Sequence, residues 1–392
     1  MQPLFVFCAD LHLEDGAWST KPGIYGDAYY SFAQIIDYCI AHNLPLILGG
    51  DVLEKKSNSA RPIAKLCEGL SRMQTAQLNV YYIQGNHEYD RNAPWLSVHP
   101  WPIHLHDTGA QFGDAGIGVW GLDWLPRGEI QAAFQTVPED TDILITHQVW
   151  KDFMGNIGRT ECELTDVHHV HTVLAGDFHV TKVAESVNAQ GKPIKMLSPG
   201  STAMQDMGED PHKSFFVICE HEGQIVFSPH KLKTRGVINY VVKDVELLDE
   251  LCAGKLVKEI NALVDGAIAA GHHPDIRKPL VRVKFDKQLP DAFLRINTAI
   301  ADLAHVFCEA LTDKTGPRQN QSREAVKNDL LSALSDLVGG ENETYRLAAA
   351  VLSAEEPAKE LEAQFAKFMN EEPHATSETG SEELGSPSAE DV

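Results

Sequence analysis

The chain has 392 residues, 43% of them hydrophobic, and a formal net charge of −23, so it is too long for one compact core and argues against nucleic-acid binding through a generally basic surface. No run of about 18 consecutive apolar residues marks a membrane span, and the opening MQPLFVFCAD lacks a basic leader and a small-residue cleavage site. Seven cysteines without CxxC spacing exclude a disulfide framework and a zinc knuckle, and predict a soluble protein in a reducing, cytoplasmic setting.

In chain order, LFVFCAD is the first apolar strand. It is followed by YGDAYYSFAQIIDYCIAHN, where Phe32, Ile35, Ile36, Cys39 and Ile40 recur at helical spacing. LPLILGGD is a second strand, residues 60–78 a second helix, and VYYIQGNH a third strand. GVWGLDW, DILITHQ, TVLAGDFH and SFFVICE continue as short β-prone runs. Strands alternating with helices predict a layered α/β domain over residues 1–235. A smaller α/β module is expected over 236–315, with strand VINYVVKDVE, a helix over 247–270, strand PLVRVKFD and a helix over 293–311. GPRQNQSRE opens a linker, and 325–337 and 345–369 read as two amphipathic helices, so 316–370 is expected to be a linker and helical segment. Residues 371–392, rich in Glu, Ser, Gly and Pro, are expected to be a disordered acidic tail.

The chemistry sits where the strands end. Asp10 and His12 follow the first strand, Asp51 the second, and Asn86, His87 and Glu88 the third. His147 follows ILIT, and Asp177 and His179 follow TVLA. The carboxyl edge of an open α/β sheet is where ligands bind. Carboxylate, imidazole and amide donors suit manganese or another borderline-hard divalent ion better than a thiolate-seeking one. Asp51 is a natural bridge, since one carboxylate can offer an oxygen to each of two ions about 3.5 to 4 Å apart, the spacing that clamps a phosphate for hydrolysis. Each residue alone is more often a turn residue or a structural histidine than a ligand, but five in order at the same kind of strand end are not coincidence. His99, His104, His106, His168, His169 and His171 lack that context and are read as structural. His212, in the loop after Ser201, is the strongest exception.

The ordered set DxH, GGD, GNHE, H and GxxH resembles the calcineurin-like metallophosphoesterase superfamily over residues 1–235. Within it, DLHL, GGDVLE, MLSPGST and KPLVRVKF are similar to the SbcD branch of DNA repair and recombination nucleases, bacteriophage counterparts included. That resemblance implies a sandwich of two mixed sheets flanked by helices, a small α/β capping domain and a helical C-terminal segment. It implies that Asp10, His12 and His179 hold one ion, that Asp51 bridges, and that Asn86, His147 and Asp177 complete the second. His87 would protonate the leaving 3′ oxygen. The cofactors implied are two divalent ions, Mn2+ first and Mg2+ as an alternative. The partners implied are DNA and an SbcC-like coiled-coil ATPase gripped by the C-terminal helical segment, with a homodimer left open and no membrane. The setting is the cytoplasm of a bacterial cell or a phage-infected host. Two letters depart from the branch: GDFH stands where GHxH is usual, and Glu88 where Asp is commoner. Asp177 in place of histidine adds charge and an oxygen donor, which shifts preference towards manganese or magnesium. Competing readings are a protein phosphatase or small-molecule phosphodiesterase, and a non-catalytic scaffold. GGDVLEKK departs from the second motif of the protein phosphatases, and the added module and helices favour the nuclease.

Overall fold

The run LFVFC forms β1 (Gln2–Cys8), enclosed from Leu4 onward. A strand covered on both faces has to be continuously apolar, and this one is. The computed structural model describes residues 1–14, 24, 26–56, 58–91, 99–155, 160–289 and 291–311. The linker, the two amphipathic helices and the tail expected beyond residue 311 lie outside the described residues.

β1 is central in a six-stranded mixed sheet with β2 (Leu46–Gly49), β3 (Val80–Ile83), β4 (Ile103–His104), β11 (Ser214–His221) and β12 (Gln224–Lys231), in the order β12-β11-β1-β2-β3-β4. The steps from β1 to β4 are parallel, with Val6 opposite Leu46 and Leu46 opposite Val80. β11 closes on β1 antiparallel. Parallel neighbours need crossover helices, supplied here by α1 (Asp27–His42) and α2 (Ala60–Thr75).

The second six-stranded sheet takes β5 (Thr108–Phe112), β6 (Ile117–Leu122), β7 (Ile143–His147), β8 (Thr172–Gly176), β9 (Lys182–Val187) and β10 (Pro193–Ser198), in the order β5-β6-β7-β8-β10-β9. β6, β7, β8 and β10 run parallel to one another. Alternation sorts the strand residues between layers. Phe5, Phe7, Ile47 and Ile83 share the inter-sheet core with Ile143, Ile145, Leu174 and Leu197. Val6, Cys8, Leu46 and Leu48 pack outward against Phe32, Ile35, Ile36, Leu66 and Leu70 of the two helices. The outer face of the second sheet is covered by Ile130 of α3 (Arg127–Ala133), by Phe134 and Trp150, and by Phe153 of α4 (Lys151–Met154).

Beyond Arg235 the chain builds a third sheet of β13 (Val237–Val242), β14 (Leu280–Phe285) and β15 (His305–Ala310), all parallel. α5 (Val245–Glu250) and α6 (Leu256–Ala269) join the first two strands, and α7 (Ala292–Ile300) the last two. The helix expected over 293–311 is therefore wrong in its second half. A six-residue apolar run cannot be told from buried helix by periodicity alone. Pairing decides it: β15 aligns on β14 from Leu280 opposite His305 to Phe285 opposite Ala310, and Val306 enters the core with Val281 and Val283.

This module is fastened to α1. The Arg235 guanidinium, 3% exposed, gives Asp27 two hydrogen bonds of 2.9 and 2.6 Å and the Lys278 carbonyl a third of 2.6 Å. Tyr30 bonds Asp275 and stacks on His273 at 4.1 Å. No helix among the described residues is long and apolar enough to cross a membrane.

Candidate metal centre

β1, β2, β3, β7 and β8 all run to the same pole, and the segments that leave them carry Asp10 and His12, Asp51, Asn86 to Glu88, His147, and Asp177 and His179. The chain bends hard there. Asp10, His12, Asp51 and Asp177 have φ of 52°, 46°, 48° and 79°. The left-handed region is costly for residues with a side chain and collects at functional sites. Two glycines make the room: a Cβ on Gly50 or on Gly176 would overlap the His147 ring. His147 is thus set against bare backbone, and a Cβ on Gly85 would likewise overlap the Asp51 carboxylate.

Three imidazoles are oriented in one way. His147, fully buried, donates from Nδ1 to the Gly49 carbonyl at 2.8 Å, and its Nε2 has no hydrogen-bond partner. That Nε2 faces Asp51 Oδ2 at 3.3 Å, Asp10 Oδ1 at 3.8 Å and Asp177 Oδ1 at 4.0 Å. His12 directs Nδ1 at Glu54 Oε2 at 2.6 Å, and His179 directs Nδ1 at Glu209 Oε1 at 3.2 Å. In each ring the Nδ1 proton is committed to an oxygen and Nε2 keeps its lone pair for a cation, the arrangement that second-sphere oxygens impose on metal-binding histidines. His12 Nε2 and His179 Nε2 stand 3.0 Å apart, a spacing at which two donors share one ion. Asp10 Oδ2, buried, also has no partner.

The donors able to meet at one ion form the groups Asp10, His12 and His179, and Asp10, Asp51 and His147. Asp10 belongs to both. Glu54, His12 and His87 also meet, but Glu54 touches His12 by a direct hydrogen bond, so this group reads as an organising contact. Asp177 sits at the rim of the second group, with its backbone N–H on Asp10 Oδ1 at 3.0 Å. Asn86 is exposed in the turn after β3. Orphaned buried donors of oxygen and nitrogen chemistry, clustered twice, fit two divalent ions.

His87 is held differently. Its backbone N–H donates to Asp51 Oδ1 at 3.0 Å, and its Nδ1 to the Glu54 carbonyl at 2.8 Å. Its Nε2 lies 3.9 Å from Asp51 Oδ2. Hydrogen bonding to Glu54, aided by the charge of Asp51 and opposed by burial, raises its pKa to about 9. Burial opposes the shift of Glu54, but His12 and His87 hold it down at about 2. Burial likewise opposes, while His147, His12 and His87 hold Asp51 well below the usual carboxylate range. Burial, with the charges of Asp10 and Asp51, pushes Asp177 up to about 6.

Glu54, Glu209 and Glu88 are absent from the ligand set read from sequence. Glu88, wholly buried, accepts from the backbone N–H of Leu53 and Gly85, both at 3.1 Å, and ties the second and third ligand loops together. The only sequence signal for Glu54 is its closeness to Asp51. His104 does end a strand, contrary to expectation, yet it is spent on Asp123 at 2.9 Å and stacks on Tyr82. His168 hydrogen-bonds Gln135 and Gln190, and His212 is exposed.

Two mixed sheets face to face, with parallel strands delivering carboxylates and imidazoles to one pole, form the architecture of the metallophosphoesterase fold. The sequence model of the calcineurin-like phosphoesterase family matches residues 3–181, and the chain carries a domain of that family. Its curated relatives include a DNA double-strand break repair protein Mre11 from Haloferax volcanii, 26% identical over 149 residues, 36% of this chain and 33% of the relative. Another, of the same name, from Methanosarcina acetivorans, is 21% identical over 230 residues, 55% of this chain and 37% of the relative. The chain thus spans about a third of the length of the curated relatives it matches.

Proposed function

We propose that the protein is a metal-dependent DNA phosphodiesterase, the nuclease subunit of a repair or recombination complex of the SbcCD kind. The observation that carries the metal reading is the common orientation of His12, His147 and His179, each committed through Nδ1 with Nε2 turned to the carboxylates. Asp10, His12 and His179 would hold one ion, Asp51 would bridge, and His147, Asp177 and Asn86 would complete the other. Manganese is the ion of choice, with magnesium second, because oxygen donors outnumber nitrogen at the second position. When bound, such ions would supply Lewis-acid chemistry towards phosphate and water.

The protein's own groups do the rest. The Glu54 carbonyl and Asp51 fix His87 at both its ring and its backbone, so a protonated Nε2 stands ready to protonate the departing oxygen as a general acid. DNA as substrate is supported by the repair role named for both relatives, and a coiled-coil ATPase as partner by the resemblance of DLHL, GGDVLE, MLSPGST and KPLVRVKF to the SbcD branch. The net charge of −23 fits a subunit that borrows its DNA grip from such a partner.

The test uses metal-stripped full-length protein resupplied with manganese and offered linear duplex DNA and a phosphoprotein. Modest manganese-dependent cleavage of DNA, enhanced by the copurifying ATPase, is expected. Robust dephosphorylation with intact DNA would overturn the proposal.

A further inference from the structure

Only one of the three metal-facing imidazoles is oriented by a residue far along the chain from every ligand motif. Glu209 Oε1 receives His179 Nδ1, while Glu209 Oε2 is held by Lys213 Nζ at 2.6 Å and by Ser201 Oγ at 3.1 Å. Lys213 Nζ also reaches Ser201 Oγ at 2.8 Å and is only 4% exposed, so the carboxylate, ammonium and hydroxyl close a small buried ring. Both carboxylate oxygens are therefore assigned, and the one facing His179 cannot turn away without stranding Lys213. A buried ammonium left without its counter-charge is strongly penalised. The strap between Ser201 and Lys213 is anchored again further along: Met204 and Met207 pack with Ile24 and Leu280, and Arg282 donates to the Met207 carbonyl at 3.5 Å.

We propose that Glu209 is a positioning residue of the metal centre, fixing through the Glu209–Lys213–Ser201 ring the His179 tautomer that presents Nε2 to an ion. The inference rests on the two-ion reading but not on DNA as substrate. Losing such a second-sphere oxygen costs metal affinity about 10- to 100-fold.

Manganese is titrated calorimetrically into the metal-stripped full-length chain, and the bound ions are followed by electron paramagnetic resonance. Wild type is expected to take two coupled ions. Glu209→Ala should weaken one ion about 10- to 100-fold and replace the coupled spectrum by that of a single ion. Glu209→Gln, whose amide oxygen can still accept from His179, should recover part of the loss. Glu209→Ala combined with Lys213→Met removes the stranded ammonium, and should show the same single-ion defect at a metal-free melting temperature near that of wild type. Two ions bound at wild-type affinity by the double variant would overturn the inference, as would equal weakening of both ions. A wild type that takes up no manganese would instead overturn the two-ion reading on which the inference stands.

Discussion

His87 and Glu54 show how a single contact sets both chemistry and stability. If His87 is the proposed general acid and holds no ion, His87→Ala should lower turnover about 10²- to 10⁴-fold while calorimetry still counts two manganese ions. Equal loss of metal would move His87 into the ligand set. The same contact predicts a pH signature in chelated protein. His87 is raised from 6.5 to about 9, so its stabilisation is complete below 6.5 and lost as pH rises through 9. Glu54 is lowered from 4.5 to about 2, so its stabilisation is complete above 4.5 and lost as pH falls through 2. The melting-temperature gap between wild type and His87→Gln should be widest between pH 4.5 and 6.5 and close at both ends. The candidate ligands are legible in the sequence because each follows directly on an apolar strand, where a short-range pattern carries the information. Glu54 and Glu209 are not: they reach His12 and His179 across 42 and 30 positions of chain, and nothing local marks such a contact.

At the scale of elements, the strand ends work as sockets because glycine leaves room beside them. Gly176→Ala should drive a methyl into the His147 ring and cost one bound ion, a loss read by metal stoichiometry and not repaired by excess manganese. Buried strands are readable for the reason that they are useful, being continuously apolar with a polar residue just past the end. β9 is not, because its letters alternate with exposed charge at the sheet edge, and β4 spans two residues. β15 reads as helix because helical spacing in α7 runs on smoothly into HVFCEA. Only its alignment on β14 reveals the change, and pairing partners are not written in a single segment.

For the whole molecule, Arg235 is the pin between the phosphoesterase layers and the third sheet. It satisfies Asp27 at the first residue of α1, where the helix dipole already favours a carboxylate. Breaking a buried ion pair by deleting one partner costs about 3–5 kcal/mol. Arg235→Ala should therefore lower the melting temperature by several degrees and open the chain near residue 235 to limited proteolysis. Unchanged proteolysis would show that Tyr30 and the Met204–Met207 contacts suffice. The α/β layering of this assembly is readable from the alternation of strands and helices, whereas its fastening by Arg235 joins residues 208 positions apart.

Asp177 gives the centre a consequence for how long the protein lasts. Unfolded, its carboxyl ionises near 3.8; folded, it resists until about 6, so the destabilisation from this one group grows as pH rises through that interval and is complete at neutrality. An asparagine in its place would be free of that burden and tolerates the same left-handed backbone. Asp177→Asn should melt above wild type in chelator and below it in manganese, a crossing that a merely structural aspartate could not produce. Because a ligand that binds only the folded chain stabilises it with the logarithm of its free concentration, the wild-type melting temperature should climb with each tenfold rise in manganese, and less steeply in Asp177→Asn.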